Sequence, residues 1–273
     1  MADRKTTFAI NVYSYTQKFT GIETVRHLAG LGYRDLELMM YPGHLWAADL
    51  DAGGRRELRR VIDECGCRLV ALNMPNIDLN VAGASREMRQ YSLALISAFT
   101  ELAGDLGAEN ILIGPGKQNP LFPAPRDQLL GHFYKALDTL HPIARQGGTR
   151  ILVENMPFAF LPDAPSLMKA LDDYGNDDIY VLYDVANGHF IGEDPGEGLR
   201  CVKDRLRLVH VSDTGQRVYR HDPVGRGDVP FAGVPAVMKE VGYKDKPMLE
   251  IISENPDADI EDSVNRLYEM GYR

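Results

Sequence analysis

Short apolar runs rich in β-branched residues recur along the chain and predict eight strands. The runs are Phe8–Val12, Leu36–Met40, Leu69–Met74, Asn110–Ile113, Ile151–Glu154, Tyr180–Asp184, Leu206–Val211 and Met248–Ile252. Their ends lie about 25 to 40 residues apart, which is room for one strand, one helix and two loops. The pattern therefore predicts a regular alternation of strands and helices.

The segments between the runs carry helical signals. Apolar residues step by three and four at Met88, Tyr91, Leu95, Phe99, Leu102 and Leu106. Thr20 and Glu23 have the spacing of a capping box, so the first helix is expected to follow Thr20. Proline favours the first helical turn, which places the starts of helices seven and eight at Pro230 and Pro256. Glycine favours helix ends, which places those of helices one, three, five and seven at Gly32, Gly107, Gly175 and Gly242.

Eight alternations suit either a closed parallel barrel or an open doubly wound sheet. No G-x-G-x-x-G follows the first strand, so the nucleotide-binding signature of the open sheet is missing. Polar residues end many different strands, as on the catalytic face of a barrel. With a length of 273 residues, the chain is predicted to be a single (β/α)8 barrel domain spanning residues 1–273.

Composition narrows the classes of partner. The chain has 30 basic and 39 acidic residues, and a net charge of −9 argues against a nucleic-acid partner. Cys65, Cys67 and Cys201 form no disulfide framework and are expected to be small buried residues in a reducing cytoplasm. No segment has the pattern of a membrane span, so no membrane partner is expected.

The last four predicted strands carry ionisable side chains at their carboxyl ends, namely Glu154, Asp184, His210 and Glu250. Buried charges are costly unless they pair or bind a metal, and adjacent barrel strands bring their ends together. Three carboxylates and an imidazole suit Mn²⁺ or Mg²⁺ and also accept Zn²⁺ or Co²⁺. The pattern therefore predicts one divalent metal ion, the alternative being four separate hydrogen-bonded residues.

The order Glu, Asp, His, Glu on strands five to eight resembles the xylose isomerase-like barrels. The supporting strings are Val153–Asn155, Tyr183–Asn187, Gly192–Pro195, His210–Asp213 and Gly225–Phe231. That superfamily includes sugar-phosphate isomerases and epimerases, ketose 3-epimerases, inosose isomerases and dehydratases, and AP endonucleases. The resemblance covers essentially the whole chain and implies a xylose isomerase-like TIM barrel, with Mn²⁺ as the first choice of ion.

The resemblance also implies a reaction, in which a proton leaves the carbon next to a carbonyl and the metal stabilises the enediolate. Glu154 and Glu250 are the expected acid/base pair, and Asp184 and His210 are expected to be ligands only. Returning the proton gives an epimer or, at the neighbouring carbon, an aldose–ketose isomer. The prediction is a metal-dependent isomerase or epimerase of a small keto-sugar. A dehydratase of a keto-inositol or related keto-polyol is the alternative, and relatives imply a homodimer or homotetramer.

Six further residues are candidates for substrate binding: Trp46, Asn73, Asn187, His189, Arg217 and His221. Ketose 3-epimerases place a histidine three residues after the strand-six aspartate, where this chain has Asn187, so either Asn187 or His189 is expected at the substrate. Arg217 falls close to an arginine of related epimerases, and His221 is a candidate for substrate or metal-bound water. Trp46 offers an aromatic wall to sugar C–H groups and Asn73 offers hydrogen bonds to hydroxyls. Structural roles are the alternative for each.

At two places the sequence differs from the motifs of related enzymes, and these differences narrow the candidate functions. AP endonucleases build a three-metal cluster with extra histidines, where this chain has Asn73, Gly114 and Asn187, so the nuclease is the less favoured alternative. Ketose 3-epimerases carry a second glutamate six residues after the strand-five ligand, where this chain has Phe160. An inosose-type isomerase or dehydratase, an unusual keto-sugar, or a barrel that only binds sugar therefore stays open.

Overall fold

The computed structural model describes residues 4–74 and 78–273. Within these residues, eight parallel strands pair in chain order, and the last pairs with the first to close a barrel. The strands are β1 (Ala9–Asn11), β2 (Asp35–Met39), β3 (Arg68–Asn73), β4 (Asn110–Ile113), β5 (Arg150–Glu154), β6 (Ile179–Asp184), β7 (Leu206–Val211) and β8 (Met248–Leu249). The predicted (β/α)8 barrel is confirmed.

Helices connect the strands over the outside of the barrel. They are α1 (Gly21–Gly30), α2 (Ala52–Glu64), α3 (Arg86–Leu106), α4 (Arg126–Gly147), α5 (Ala164–Tyr174), α6 (Val185–Phe190), α7 (Pro195–Val202), α8 (Val234–Glu240) and α9 (Pro256–Glu269). Both α6 and α7 follow β6. Among the described residues, none of these helices combines the length and apolar character needed to cross a bilayer.

The predicted capping box is present at α1. The Thr20 hydroxyl accepts a hydrogen bond from the Glu23 amide at 3.3 Å, and the Glu23 carboxylate accepts one from the Thr20 amide at 2.8 Å. Gly107 and Gly175 cap α3 and α5 in the left-handed conformation that glycine tolerates best. These helix boundaries are therefore set by local sequence.

The predicted start of the seventh crossover helix at Pro230 is wrong. Pro230 precedes a single 3-10 turn, Phe231–Gly233, and α8 begins only at Val234. A second proline, Pro235, lies in the first turn of α8, where its missing N–H costs no hydrogen bond. Pro256, by contrast, starts α9 as predicted.

Strand residues alternate between two buried layers. Leu152, Leu182 and Leu208 belong to a cluster inside the barrel, whereas the adjacent valines pack into the larger core under the helices. This alternation follows from the two-residue period of a strand. It decides which strand-end side chains point to the barrel axis.

The eighth strand is shorter than predicted, because pairing with β1 and β7 involves only Met248 and Leu249. The chain beyond it stays attached to its neighbours by single hydrogen bonds. The Glu250 amide donates to the Val211 carbonyl at 3.2 Å, and the Ile252 amide donates to the His221 carbonyl at 2.8 Å. Glu250 is thus held at the mouth of the barrel without belonging to a regular strand.

We expect Gly104→Ala to lower the free energy of unfolding by about 1–3 kcal/mol, measured by urea denaturation. A Cβ at Gly104 in α3 would lie 2.7 Å from the Cα of Gly147 in α4, so two backbones must separate. Gly131→Ala in α4 is the control, since its Cβ meets nothing within 4 Å. That control is expected to gain about 0.5–1 kcal/mol from the better helix propensity of alanine. Equal effects at both positions would contradict the close packing of α3 on α4.

Candidate metal centre and its cavity

Strand parity brings the four predicted ligands to the axis of the barrel. Each lies two residues after a side chain of the inner layer: Glu154 after Leu152, Asp184 after Leu182, His210 after Leu208 and Glu250 after Met248. All four are buried, and each offers a ligand atom within 4.8 Å of the others. The arrangement can hold a metal ion at the carboxyl ends of β5 to β8.

The cluster carries more negative charge than its own residues balance. Burial, and then the neighbouring Glu250, raise the pKa of Glu154 well above its usual value. Burial also raises the pKa of Asp184, against the opposing effect of His221. Burial alone would raise the pKa of Glu250, but His221 and His210 lower it to about 2. A bound cation would remove this mutual repulsion.

Asp184 provides a specific test of whether the residues fit a cation. One carboxylate oxygen caps α6 and accepts hydrogen bonds from the amides of Ala186 at 2.7 Å and Asn187 at 3.1 Å. The other oxygen, Oδ2, is buried and accepts no hydrogen bond from any described residue. A buried carboxylate oxygen without a donor is costly, and a metal ion would satisfy it. The donor set therefore fits a divalent cation.

A fourth carboxylate, Glu37 of β2, orients the histidine. His210 Nδ1 lies 3.0 Å from Glu250 Oε2, and His210 Nε2 lies 3.1 Å from Glu37 Oε2. Glu37 is fully buried and accepts hydrogen bonds from the side-chain amides of Asn11 at 2.6 Å and Asn73 at 2.9 Å. With Nε2–H donated to Glu37, Nδ1 is left to face the cluster. Carboxylates commonly hold metal-binding histidines in this way.

Sequence reasoning missed Glu37, although its signal was present. The string Leu36-Glu37-Leu38 embeds a carboxylate in an apolar strand, as on strands five to eight. Strand two is not adjacent to that group in the sheet, so adjacency of strands gave no reason to include it. Contact is made across the barrel interior, through His210.

A second network of side chains covers the other side of the cluster. The Asn187 amide donates to Glu154 Oε1 at 3.1 Å, and the Tyr219 hydroxyl donates to Asn187 Oδ1 at 2.7 Å. The same hydroxyl lies 2.7 Å from His221 Nε2, and His221 Nδ1 lies 3.4 Å from Glu250 Oε2. Tyr219 was not predicted as a site residue, because its loop has no periodic pattern that reveals which side chains turn inward.

A cavity of about 420 Å³ opens beside the cluster. Four predicted site residues line it: Glu154, Glu250, His221 and Asn73. The side-chain amide of Asn73 donates to Glu37. Asn187 stands behind Glu154 and is not among the lining residues. The substrate-binding roles assigned to these residues stay predictions.

The remaining three candidates lie outside the lining of the cavity. Arg217 is exposed in the loop after β7. Trp46 packs edge-on against Phe99, with ring centroids 4.8 Å apart. His189 Nε2 lies 2.7 Å from Asp228 Oδ1. None of the three is brought to the cluster in this conformation, so their substrate-binding roles also stay predictions.

Comparison with known proteins identifies the family. A family model described as a xylose isomerase-like TIM barrel matches residues 25–270. The chain belongs to the xylose isomerase-like TIM barrel family. An uncharacterized protein of Methanocaldococcus jannaschii is 24% identical over 64% of this chain, and the match spans only 61% of that protein. L-ribulose 3-epimerase of Mesorhizobium japonicum is 22% identical over 85% of this chain and 76% of its own length.

Solved structures of other proteins share this fold. A D-tagatose 3-epimerase-like protein superposes with a TM-score of 0.82 at 21% identity, covering 96% of both chains. The 3-keto-D-glucoside 4-epimerase of E. coli superposes with a TM-score of 0.79 at 16% identity, covering 97% of this chain and 99% of that one. At such low identity the likeness establishes the family fold alone.

Adding Mn²⁺ to the metal-free protein should raise the free energy of unfolding, by about 2.7 kcal/mol at 100 times the dissociation constant. Because the folded-state pKa of Glu154 is raised, the metal-free protein loses stability as pH rises through that value. At one fixed Mn²⁺ concentration, the gain should therefore be larger at about pH 8 than at about pH 5.5. Thermal unfolding measures this gain in stability. If Mn²⁺ stabilised the Asp184→Asn variant as much as the unchanged protein, the predicted metal site would be wrong.

Glu37→Gln should weaken Mn²⁺ binding by about 10- to 100-fold, measured by isothermal titration calorimetry. A glutamine in place of Glu37 gives His210 a weaker acceptor and relaxes its orientation. Asp35→Asn is the control, because Asp35 is the first residue of the same strand and pairs with Arg68 and Lys246. The control should lose stability and keep its metal affinity. Unchanged affinity in Glu37→Gln would show that the contact with His210 is structural only.

Proposed function

We propose that the chain is a metal-dependent epimerase or isomerase of a keto-sugar. The observation that carries this proposal is the placement of Glu154 and Glu250, which belong to one four-residue cluster and both line one cavity. Relatives whose names state an activity support it, since they include L-ribulose 3-epimerase and fructoselysine 3-epimerase. Neither of these names states a nuclease activity.

Glu154, Asp184, His210 and Glu250 would hold the ion, for which Mn²⁺ is our first choice. When bound, a divalent ion polarises a ketone and stabilises negative charge on its oxygen. The protein's own part is to orient the sugar and to move a proton. Glu154 ends β5 and Glu250 directly follows β8, and two strands separate β5 from β8, so the two carboxylates can face a substrate from different sides. One removes the proton next to the carbonyl and the other returns it.

Hydrogen bonds keep the two carboxylates in place during this exchange. Asn187 donates to Glu154, and Asn11 Nδ2 lies 3.3 Å from Glu250 Oε1. His221 stands between Glu250 and Tyr219, where it can orient a substrate hydroxyl. A cytoplasmic location and a homodimer or homotetramer remain predictions from the sequence.

Dehydration of a keto-polyol is the competing reaction, since it begins with the same proton removal. It needs a hydroxyl on the next carbon to leave as water, after which no proton returns to the first carbon. The apolar residue at position 160 favours neither outcome, because Phe160 is buried against Phe133 and does not line the cavity. The products decide between the two reactions.

The Mn²⁺-loaded protein should exchange the α-proton of at least one keto-sugar for deuterium in D₂O, followed by NMR over a panel of ketoses, keto-inositols and their phosphates. Glu154→Gln and Glu250→Gln should slow exchange by about 10²- to 10⁴-fold, because each removes a group that carries the proton. An epimer or isomer keeps the mass of the substrate, whereas dehydration yields a product lighter by one water.

Glu193→Gln is the matched control for that experiment. Glu193 is a half-buried carboxylate that accepts hydrogen bonds from Tyr183 and from the Ala164 amide, outside the cluster. The Glu193→Gln variant should exchange the α-proton at the same rate as the unchanged protein. Metal content is measured on every sample, and a Glu154→Gln or Glu250→Gln protein that keeps its metal and exchanges at the full rate would refute the proton-transfer roles.

A further inference from the structure

The cavity beside the candidate metal centre has two chemically different sides. Glu154, Glu250, His221 and Tyr219 line the side at the cluster. Among the described residues, the rest of the lining includes an apolar wall made of Met39, Met74, Leu79, Val81, Ile96 and Met156. A ligand that fills both sides must be polar at one end and apolar at the other.

The loop after β5 extends the apolar wall to the mouth of the cavity. Met156, Pro157, Phe158 and Ala159 all line it, and none offers a side-chain hydrogen bond. Phe158 is 61% exposed and stands edge-on to Tyr219, with ring centroids 5.4 Å apart. An exposed aromatic ring at the rim of a cavity is suited to contact a flat apolar group.

A simple ketose that filled this cavity would place hydroxyls against the apolar wall. Such a sugar carries a hydroxyl on almost every carbon, and hydroxyls placed against the apolar wall would lose water without gaining a partner. A volume of about 420 Å³ lies within the range of pockets that enclose ligands of drug size. Tyr13, Asn73 and Lys117 also line the cavity, but the Asn73 amide is used on Glu37.

We propose that the substrate is a keto-sugar glycoside with an aromatic aglycone. This inference rests on the proposed function, because it places the keto-sugar against Glu154 and Glu250. The aglycone then lies on the apolar wall and reaches the Phe158 ring. Methionine side chains adapt their shape and make favourable contacts with aromatic rings, which suits Met74 and Met156 to this ligand.

The test compares two glycosides of the same 3-keto-glucose, one methyl and one phenyl, by calorimetric titration into the Mn²⁺-loaded protein. The phenyl glycoside should bind about 10- to 100-fold more tightly, because its ring leaves water for the apolar wall. Met156→Gln should reduce that preference by about three- to tenfold, because its amide would lose water against the aglycone.

Met168→Gln is the matched control, since Met168 is also half-buried but packs on the core from α5, away from the cavity. It should keep the full preference for the phenyl glycoside. Equal binding of the two glycosides, tighter binding of free D-fructose than of the phenyl glycoside, or no binding of either glycoside would overturn the proposal.

Binding and turnover are separate readouts. A preference for the phenyl glycoside without exchange of the α-proton in any compound would refute the proposed reaction and leave the inferred ligand class intact. Exchange with a simple ketose, together with equal binding of the two glycosides, would refute the ligand class alone.

Discussion

Three carboxylates that are packed within reach of one ion and hidden from water repel one another, and the rest of the site is built around that repulsion. The residues present offset it only in part. His210 lies between Glu250 and Glu37, which raise its pKa well above the usual value although burial acts to lower it. The first amides of α6 hold one oxygen of Asp184. The other oxygen is left without a donor among the described residues, and a divalent cation is the partner that would complete the balance.

The hydrogen bonds around the cluster select one geometry for it. Glu37 is itself held by two asparagine amides, so its carboxylate cannot rotate away from His210 without losing them. On the other side, Tyr219 holds Asn187, and Asn187 holds Glu154. Glu154, which faces the cavity, is therefore supported by Asn187, which does not. This support keeps ligand atoms in place before an ion or a substrate arrives, which lowers the cost of organising the site on binding.

Strand patterns predicted the barrel and the four clustered residues because both depend on the two-residue period of a strand and on the order of strands. Both can be seen directly in the sequence. Glu37 shows the same local signal, but its partner lies across the barrel, and a contact of that kind depends on the closed shape. Tyr219 and the apolar wall could not be predicted, because loop conformations decide which of their side chains turn inward. For the same reason Arg217 and Trp46, assigned to substrate from loop positions, lie outside the lining of the cavity.

The cluster and the apolar wall lie in different parts of the barrel. The cluster depends on β5 to β8 and on Glu37, all set by the register of the sheet, whereas much of the apolar wall comes from the loops that follow β3 and β5. Under the proposed function, substitutions in those loops would change which substituent on the sugar is accepted without moving Glu154 and Glu250. Low identity to named sugar epimerases is then compatible with a shared reaction and a different substrate. A glycoside whose aglycone covers the wall would also exclude water from the carboxylates, so the same contact that selects the substrate would favour proton return over loss to solvent.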